Sequence, residues 1–144
     1  MANIIQTWEG WFSVRIPETW GVRGEGGVIE MHPDDGPGVI HFSFLRKKDA
    51  APPTVEAALE ILRLFAEKNG LASVDPLTTS LDGDFARVYG SFSAKVGADP
   101  TARHWELCCV LWRDAALRAS WIHDGTAANI RTRARDLFVT IERA

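Results

Sequence analysis

Four histidines, two adjacent cysteines and a scatter of carboxylates are the side chains in this sequence with chemistry to offer. His32 is followed closely by Asp34 and Asp35, while His41 and His104 stand further along the chain. Two imidazoles and a carboxylate can hold a divalent metal and leave positions open. His32, Asp34, His41 and His104 therefore outline one reading, a small metal- or anion-dependent enzyme. The spacing does not by itself build that site. No His-x-His or His-x-x-x-His pair places two ligands on one element, so strand order decides whether the histidines meet. The expectation is no bound metal, no cofactor and no catalytic residue.

Nucleophilic chemistry has even less support. There is no Gly-x-Ser-x-Gly elbow. Cys108 and Cys109 are neighbours, and on a strand they point to opposite faces, where they cannot pair without strain. His104 shares the parity of Cys108, but residues four apart on a strand are about 13 Å apart, beyond hydrogen-bond reach. Without a Cys-x-x-Cys pair, the two thiols read as reduced and inert, with Cys109 buried and Cys108 half-exposed. Gly24-Glu25-Gly26-Gly27 precedes a strand and not a helix, so it reads as a turn and not as a phosphate cradle. Arg131, Arg133 and Arg135 alternate on a helix, do not share a face, and read as a solvated edge.

The elements that must carry these residues are marked by Pro and Gly. Residues 10–16 alternate as a half-buried strand ended by Pro17, and Val28–His32 and Val39–Lys47 follow as strands. After Pro52-Pro53 comes a helix over 54–69, with Thr54 as N-cap, Glu56 in the first turn and Gly70 closing it. Val55, Ala58, Leu59, Leu62, Phe65 and Ala66 make its apolar face. Strands over 74–81 and 84–94 meet across Asp82-Gly83. A loop over 97–101 leads to strands over 103–113 and 116–123, joined at Asp114-Ala115. A helix over 126–141, capped at Thr126, closes the chain. The expected class is α+β: a curved antiparallel sheet of six or seven strands with two main helices, in the order βββ-α-ββββ-α, making a single domain over 1–144.

Alternation sorts the strands into two faces. Phe12, Val14, Ile16, Ile29, Met31, Ile40, Phe42, Phe44, Leu77, Leu81, Val88, Phe92, Trp105, Leu107, Leu111, Leu117 and Trp121 are expected on the core face, under the helices. Trp11, Arg15, Glu30, His32, His41, Arg87, Tyr89, His104, Glu106, Val110, Trp112, Arg118 and Ile122 are expected on a mixed face. Trp11, Tyr89 and Trp112, flanked by Arg15, Arg87 and Glu106, would make an aromatic patch of the kind that anchors protein interfaces. A partner protein or a second copy of the chain would bind there. If instead one helix covers each face, the mixed face becomes partly buried.

The whole-chain numbers agree with a globular binder. The chain has 144 residues, 46% hydrophobic and 24% charged, enough to bury a core without metal or disulfide. A formal net charge of -3 argues against nucleic acid as partner. The opening MANIIQTWEGW lacks a basic start and a signal-length apolar run, and no stretch approaches a membrane span. Cytoplasmic location without membrane insertion is the expectation.

The segment Phe12-Ser13-Val14-Arg15-Ile16-Pro17-Glu18-Thr19-Trp20 resembles the opening of the PsbP-like superfamily, in which a first strand ends in Pro and a Trp follows within a few residues. The pattern continues to the final Leu137-Phe138-Val139-Thr140-Ile141. The resemblance implies a Mog/PsbP-like sandwich and a largely non-enzymatic role. Members include a binder of a small GTPase, a photosystem subunit, exported lipoproteins and DcrB-like chaperones of secretion effectors. The last are dimers that grip hydrophobic helices on an open sheet face. It therefore implies a protein-binding or chaperone-like module.

Overall fold

Thr54, preceded by two prolines, starts the first helix as its sequence requires: its hydroxyl accepts the Ala57 N–H at 3.1 Å. The computed structural model, which describes residues 3–25, 28–34, 38–94, 104–124 and 129–144, places this helix α1 at Val55–Lys68, with Ala58, Leu62 and Ala66 buried. It ends where Gly70 takes a left-handed φ of 66°. The second helix, α2, covers Ile130–Phe138. It ends short of the expected 141, where Thr140 donates its hydroxyl to the Leu137 carbonyl at 2.7 Å and the chain turns out. The expected cap Thr126 lies outside the described residues, as do Asp35, Gly26, Gly27, Arg103 and the expected loop over 97–101.

The remaining elements correct the expected strand count and order. Among the described residues eleven strands form two antiparallel sheets. Before α1 come β1 (Asn3–Trp8), β2 (Phe12–Pro17), β3 (Gly21–Glu25), β4 (Val28–His32) and β5 (Val39–Arg46); after it come β6 (Leu71–Ser73), β7 (Thr78–Leu81), β8 (Phe85–Ala94), β9 (His104–Trp112) and β10 (Ala115–His123); β11 (Glu142–Arg143) follows α2. The order is thus βββββ-α-βββββ-α-β, not βββ-α-ββββ-α. The α+β class and the antiparallel pairing hold. Gly24 and Glu25, expected in a turn, belong to strand β3. Of the strand expected over 74–81 only Thr78–Leu81 forms, because Pro76 cannot donate to a ladder, and the unexpected β6 precedes it at Leu71–Ser73.

The small sheet runs β1-β2-β11. Its hairpin turns at Glu9-Gly10-Trp11, where Gly10 holds a φ of 77° that other residues resist. The large sheet runs β3-β4-β5-β10-β9-β8-β6, with β7 also paired to β8. Arg143 ties the two sheets together. It donates to the Gly10 carbonyl at 2.7 Å and to the Asp114 carboxylate at 2.8 Å, and this guanidinium holds the Asp114 carboxyl below its ordinary range.

Both faces of the large sheet carry a core, so the single core face read from alternation is corrected too. The small sheet and α2 cover one face, burying Phe12, Phe42, Val110, Trp112, Leu117 and Trp121 together. On the other face α1 covers Val88, Phe92, Leu107, Cys109 and Leu111. The register explains why the expected lists were mixed. Leu117 lies opposite Val110, and Trp121 opposite Glu106. Residues directly opposite one another share a face, so Leu117 and Trp121 cannot lie with Leu107 and Leu111. Helix α1 is only wide enough for the β6-β8-β9 side. Among the described residues no helix lies across the β4-β5-β10 half of this face, and this half positions the site described next.

Candidate binding site

The six residues expected to form an aromatic patch do not share an exposed surface. Trp11 sits in the β1–β2 turn with its ring stacked on Phe44 at 5.2 Å. Arg15 is exposed on β2, and its backbone N–H donates to the Thr140 hydroxyl at 3.0 Å. Arg87, Tyr89, Glu106 and Trp112 line the face covered by the small sheet and α2. There Trp112 is 4% exposed, Glu106 3% and Arg87 9%. Arg87 lies over the Phe85 ring at 4.6 Å and donates to the Ile141 carbonyl at 2.9 Å, while its Nε finds no partner among the described residues.

Glu106 is the centre of a buried polar cluster. Its Oε2 accepts from His123 Nε2 at 2.8 Å, and its Oε1 accepts from the Ser91 hydroxyl. The three come from adjacent strands β8, β9 and β10, so the ladder aligns them. Ser91 gives its proton to the carboxylate and not to the imidazole, which is not the order of a nucleophile and its base. The cluster forms one wall of a cavity of about 210 Å³ beneath α2. The cations at its mouth are engaged: Arg131 with Asp75 at 2.7 Å and Arg135 with Asp136 at 3.4 Å.

The histidines proposed for metal chemistry are divided between faces. His41 lies on the α1 face, whereas His104 lies opposite His123 on the other face, its ring stacked on His123 at 5.6 Å. His32 and His41 instead share Glu30. The two Nε2 atoms donate to its carboxylate at 2.8 and 3.0 Å, and Arg23 stands 3.4 Å away. Hydrogen bonds from His32 first, and then from His41, hold the Glu30 carboxyl below its ordinary range. Asp34 is exposed and outside this cluster. Among the described residues no group of three or more His, Cys, Asp or Glu side chains is arranged to hold a metal. The thiols differ from expectation in one respect: Cys108 is buried along with Cys109. Burial raises both, Cys109 to about 12 and Cys108 well above its ordinary value.

The uncovered half-sheet beside α1 holds a groove of about 320 Å³. Its floor alternates by strand. Arg118 and Ser120 on β10 stand opposite Ser43 and His41 on β5, and Ile122 stands opposite Trp105 on β9. Phe65 from α1 forms the wall, meeting Trp105 edge to face at 5.9 Å. The Arg118 guanidinium lies 4.0 Å over the Phe65 ring. Among the described residues Arg118 has no carboxylate partner and no side-chain hydrogen bond. Burial pulls its pKa down from the usual value, as expected of a cation held partly out of water without a counter-charge. A second hollow of about 270 Å³ continues the groove toward Glu30 and Arg23. The larger hollow of about 470 Å³ between α1 and β6 differs in its electrostatics. There Arg63 is taken up by Glu60 and Glu67, at 2.5 and 2.8 Å.

Neither Glu30 nor Arg118 was singled out in the sequence, although both belong to the mixed face. A usable signal was present. Arg118 and Ser120 alternate with the apolar Leu117, Ala119 and Trp121, which marks one side of that stretch of β10 as polar.

Comparison with known proteins adds the fold and nothing finer. No protein-family model matches the chain, and no curated protein matches it in sequence. A crystal structure of a protein from Bacteroides thetaiotaomicron, solved at 1.50 Å, shares the fold with a TM-score of 0.60 at 16% identity. The likeness covers 93% of this chain and 45% of that one, so this chain spans less than half the length of that protein.

Proposed function

We propose that this protein is a non-enzymatic binding module that receives a partner protein on the half of its large sheet left open beside α1. The observation that carries this reading is Arg118. It is a partly buried guanidinium with no carboxylate partner among the described residues, set in a groove with aromatic and aliphatic walls. Aromatic residues with arginine are the usual anchors of protein interfaces, because they bury much area for little lost freedom. The groove replaces the patch of Trp11, Tyr89 and Trp112 as the binding surface, since Trp112 is in the core. The resemblance of Phe12–Trp20 to a superfamily of mostly non-enzymatic proteins leans the same way. An enzyme using His32, Asp34, His41 and His104 is not favoured, because His41 and His104 are on opposite faces.

The test fills each hollow in turn. Ser43→Trp places an indole in the groove, and Thr132→Trp does so at the cavity beneath α2. Proteins captured by the wild-type chain and identified by mass spectrometry are expected to be lost with Ser43→Trp and kept with Thr132→Trp, both variants retaining wild-type circular dichroism. Partners that survive Ser43→Trp would overturn the reading.

A further inference from the structure

The groove offers a partner no backbone to pair with. Its floor is made by β5, β10 and β9, interior strands hydrogen-bonded to neighbours on both sides. An added strand therefore has no edge to join there. Recognition must come from side chains: the Arg118 cation, the His41 imidazole, the hydroxyls of Ser43 and Ser120, and apolar surfaces such as Phe65, Trp105 and Ile122. Arg118 faces Ser43 across the ladder and has Ser120 two residues along on the same side. Donors are thus grouped at one point, with apolar walls beside them.

On that basis we infer that the groove takes the C-terminal carboxylate of a partner chain that ends in an apolar residue, with Arg118 as the anchor. The inference rests on the protein-binding reading above. A chain end carries its negative charge and its last side chain on the same carbon, which matches a guanidinium lying directly over Phe65. The fork of an arginine suits a carboxylate, and the bond strengthens where water is excluded. Beyond His41 the second hollow carries Glu30 and Arg23 as an ion pair, so it adds no unpaired cation, and Arg118 alone calls for a single negative charge on the occupant. A groove of about 320 Å³ has room for one or two residues and not for an extended segment.

The test uses the full chain and three probes: the tripeptide acetyl-Ala-Ala-Phe with a free carboxylate, the same peptide as its C-terminal amide, and decanoate. Binding is followed by NMR at the Trp105 indole and by calorimetry. The acid is expected to bind roughly tenfold or more tightly than the amide, the scale of one charge-assisted hydrogen bond. Arg118→Gln should abolish the difference while leaving circular dichroism unchanged, and Arg118→Lys should keep part of it. Should Arg118→Gln fail to fold, the acid-over-amide ratio on the wild-type chain decides alone. Equal binding of acid and amide, binding of neither, or decanoate displacing the peptide at lower concentration would each overturn the inference. The protein-binding reading fails separately, by partners that ignore Ser43→Trp.

Discussion

Two glutamates on the large sheet take histidine partners, and their surroundings give them opposite consequences. Glu106 lies on the face covered by the small sheet and α2, bonded to His123 and Ser91 and 3% exposed. Glu30 lies on the open half of the other face, bonded to His32 and His41 and 24% exposed at its side chain. The pairing chemistry is the same. In the first place the bonds replace water that cannot reach the carboxylate, so every partner lost leaves a buried group unsatisfied. In the second, water stands ready to replace any lost partner. The covered face is therefore held by packing and internal hydrogen bonds, and the open half-face is free to change its contacts when something binds.

The sharpest way to break this comparison is at Trp112, on the covered face at 4% exposure. Trp112→Ala is expected to destabilise the protein by about 4 kcal/mol in denaturant unfolding, as for other large-to-small core changes. A stable, well-folded variant would mean that the covered face is not packed as described. Next in size is Glu106→Ala, which takes from His123 and Ser91 the carboxylate that both bond and leaves a gap on the covered face. It is expected to cost roughly 3 kcal/mol by the same measurement. An effect as small as that of a surface change would place Glu106 in the company of Glu30.

What the sequence made legible follows from how local each signal is. Helix α1 could be read within one residue at either end, because Pro52-Pro53, Thr54 and Gly70 act on their own neighbours. The hairpin of β9 and β10 was legible too, although the loop lies at Arg113-Asp114 and not at Asp114-Ala115. Either placement pairs odd-numbered with even-numbered residues. The hairpin alone therefore puts Leu117 and Trp121 with Val110, and parity carried across it would have separated the two cores. Strand β1 escaped because its residues are mostly exposed and do not alternate, and β11 because two residues carry no period. The small sheet joins the two ends of the described chain, a long-range pairing that no local pattern announces. The site was harder still. Arg118 looks like any arginine on a half-polar strand, and its lack of a counter-charge is a property of β5, β9 and α1 together.

The smallest expected effect is at Glu30, and pH separates it from Glu106. Hydrogen bonds from two imidazoles hold the Glu30 carboxyl below its ordinary range, so the folded state binds a proton there less readily than the unfolded chain does. A carboxyl depressed in this way adds stability that is fully present above its unfolded pKa. That stability is lost as pH falls through the lower folded value. Glu30→Gln removes this contribution and leaves the neutral shape. Wild type and variant should therefore unfold at nearly the same denaturant concentration in strong acid. A small gap in favour of wild type should open only as pH rises through the carboxylate range. Because the group is partly exposed, salt should shrink the gap. A large gap at neutral pH, or one that persists in strong acid, would show that Glu30 supports the fold as Glu106 does, and that the open half-face is built as tightly as the covered one.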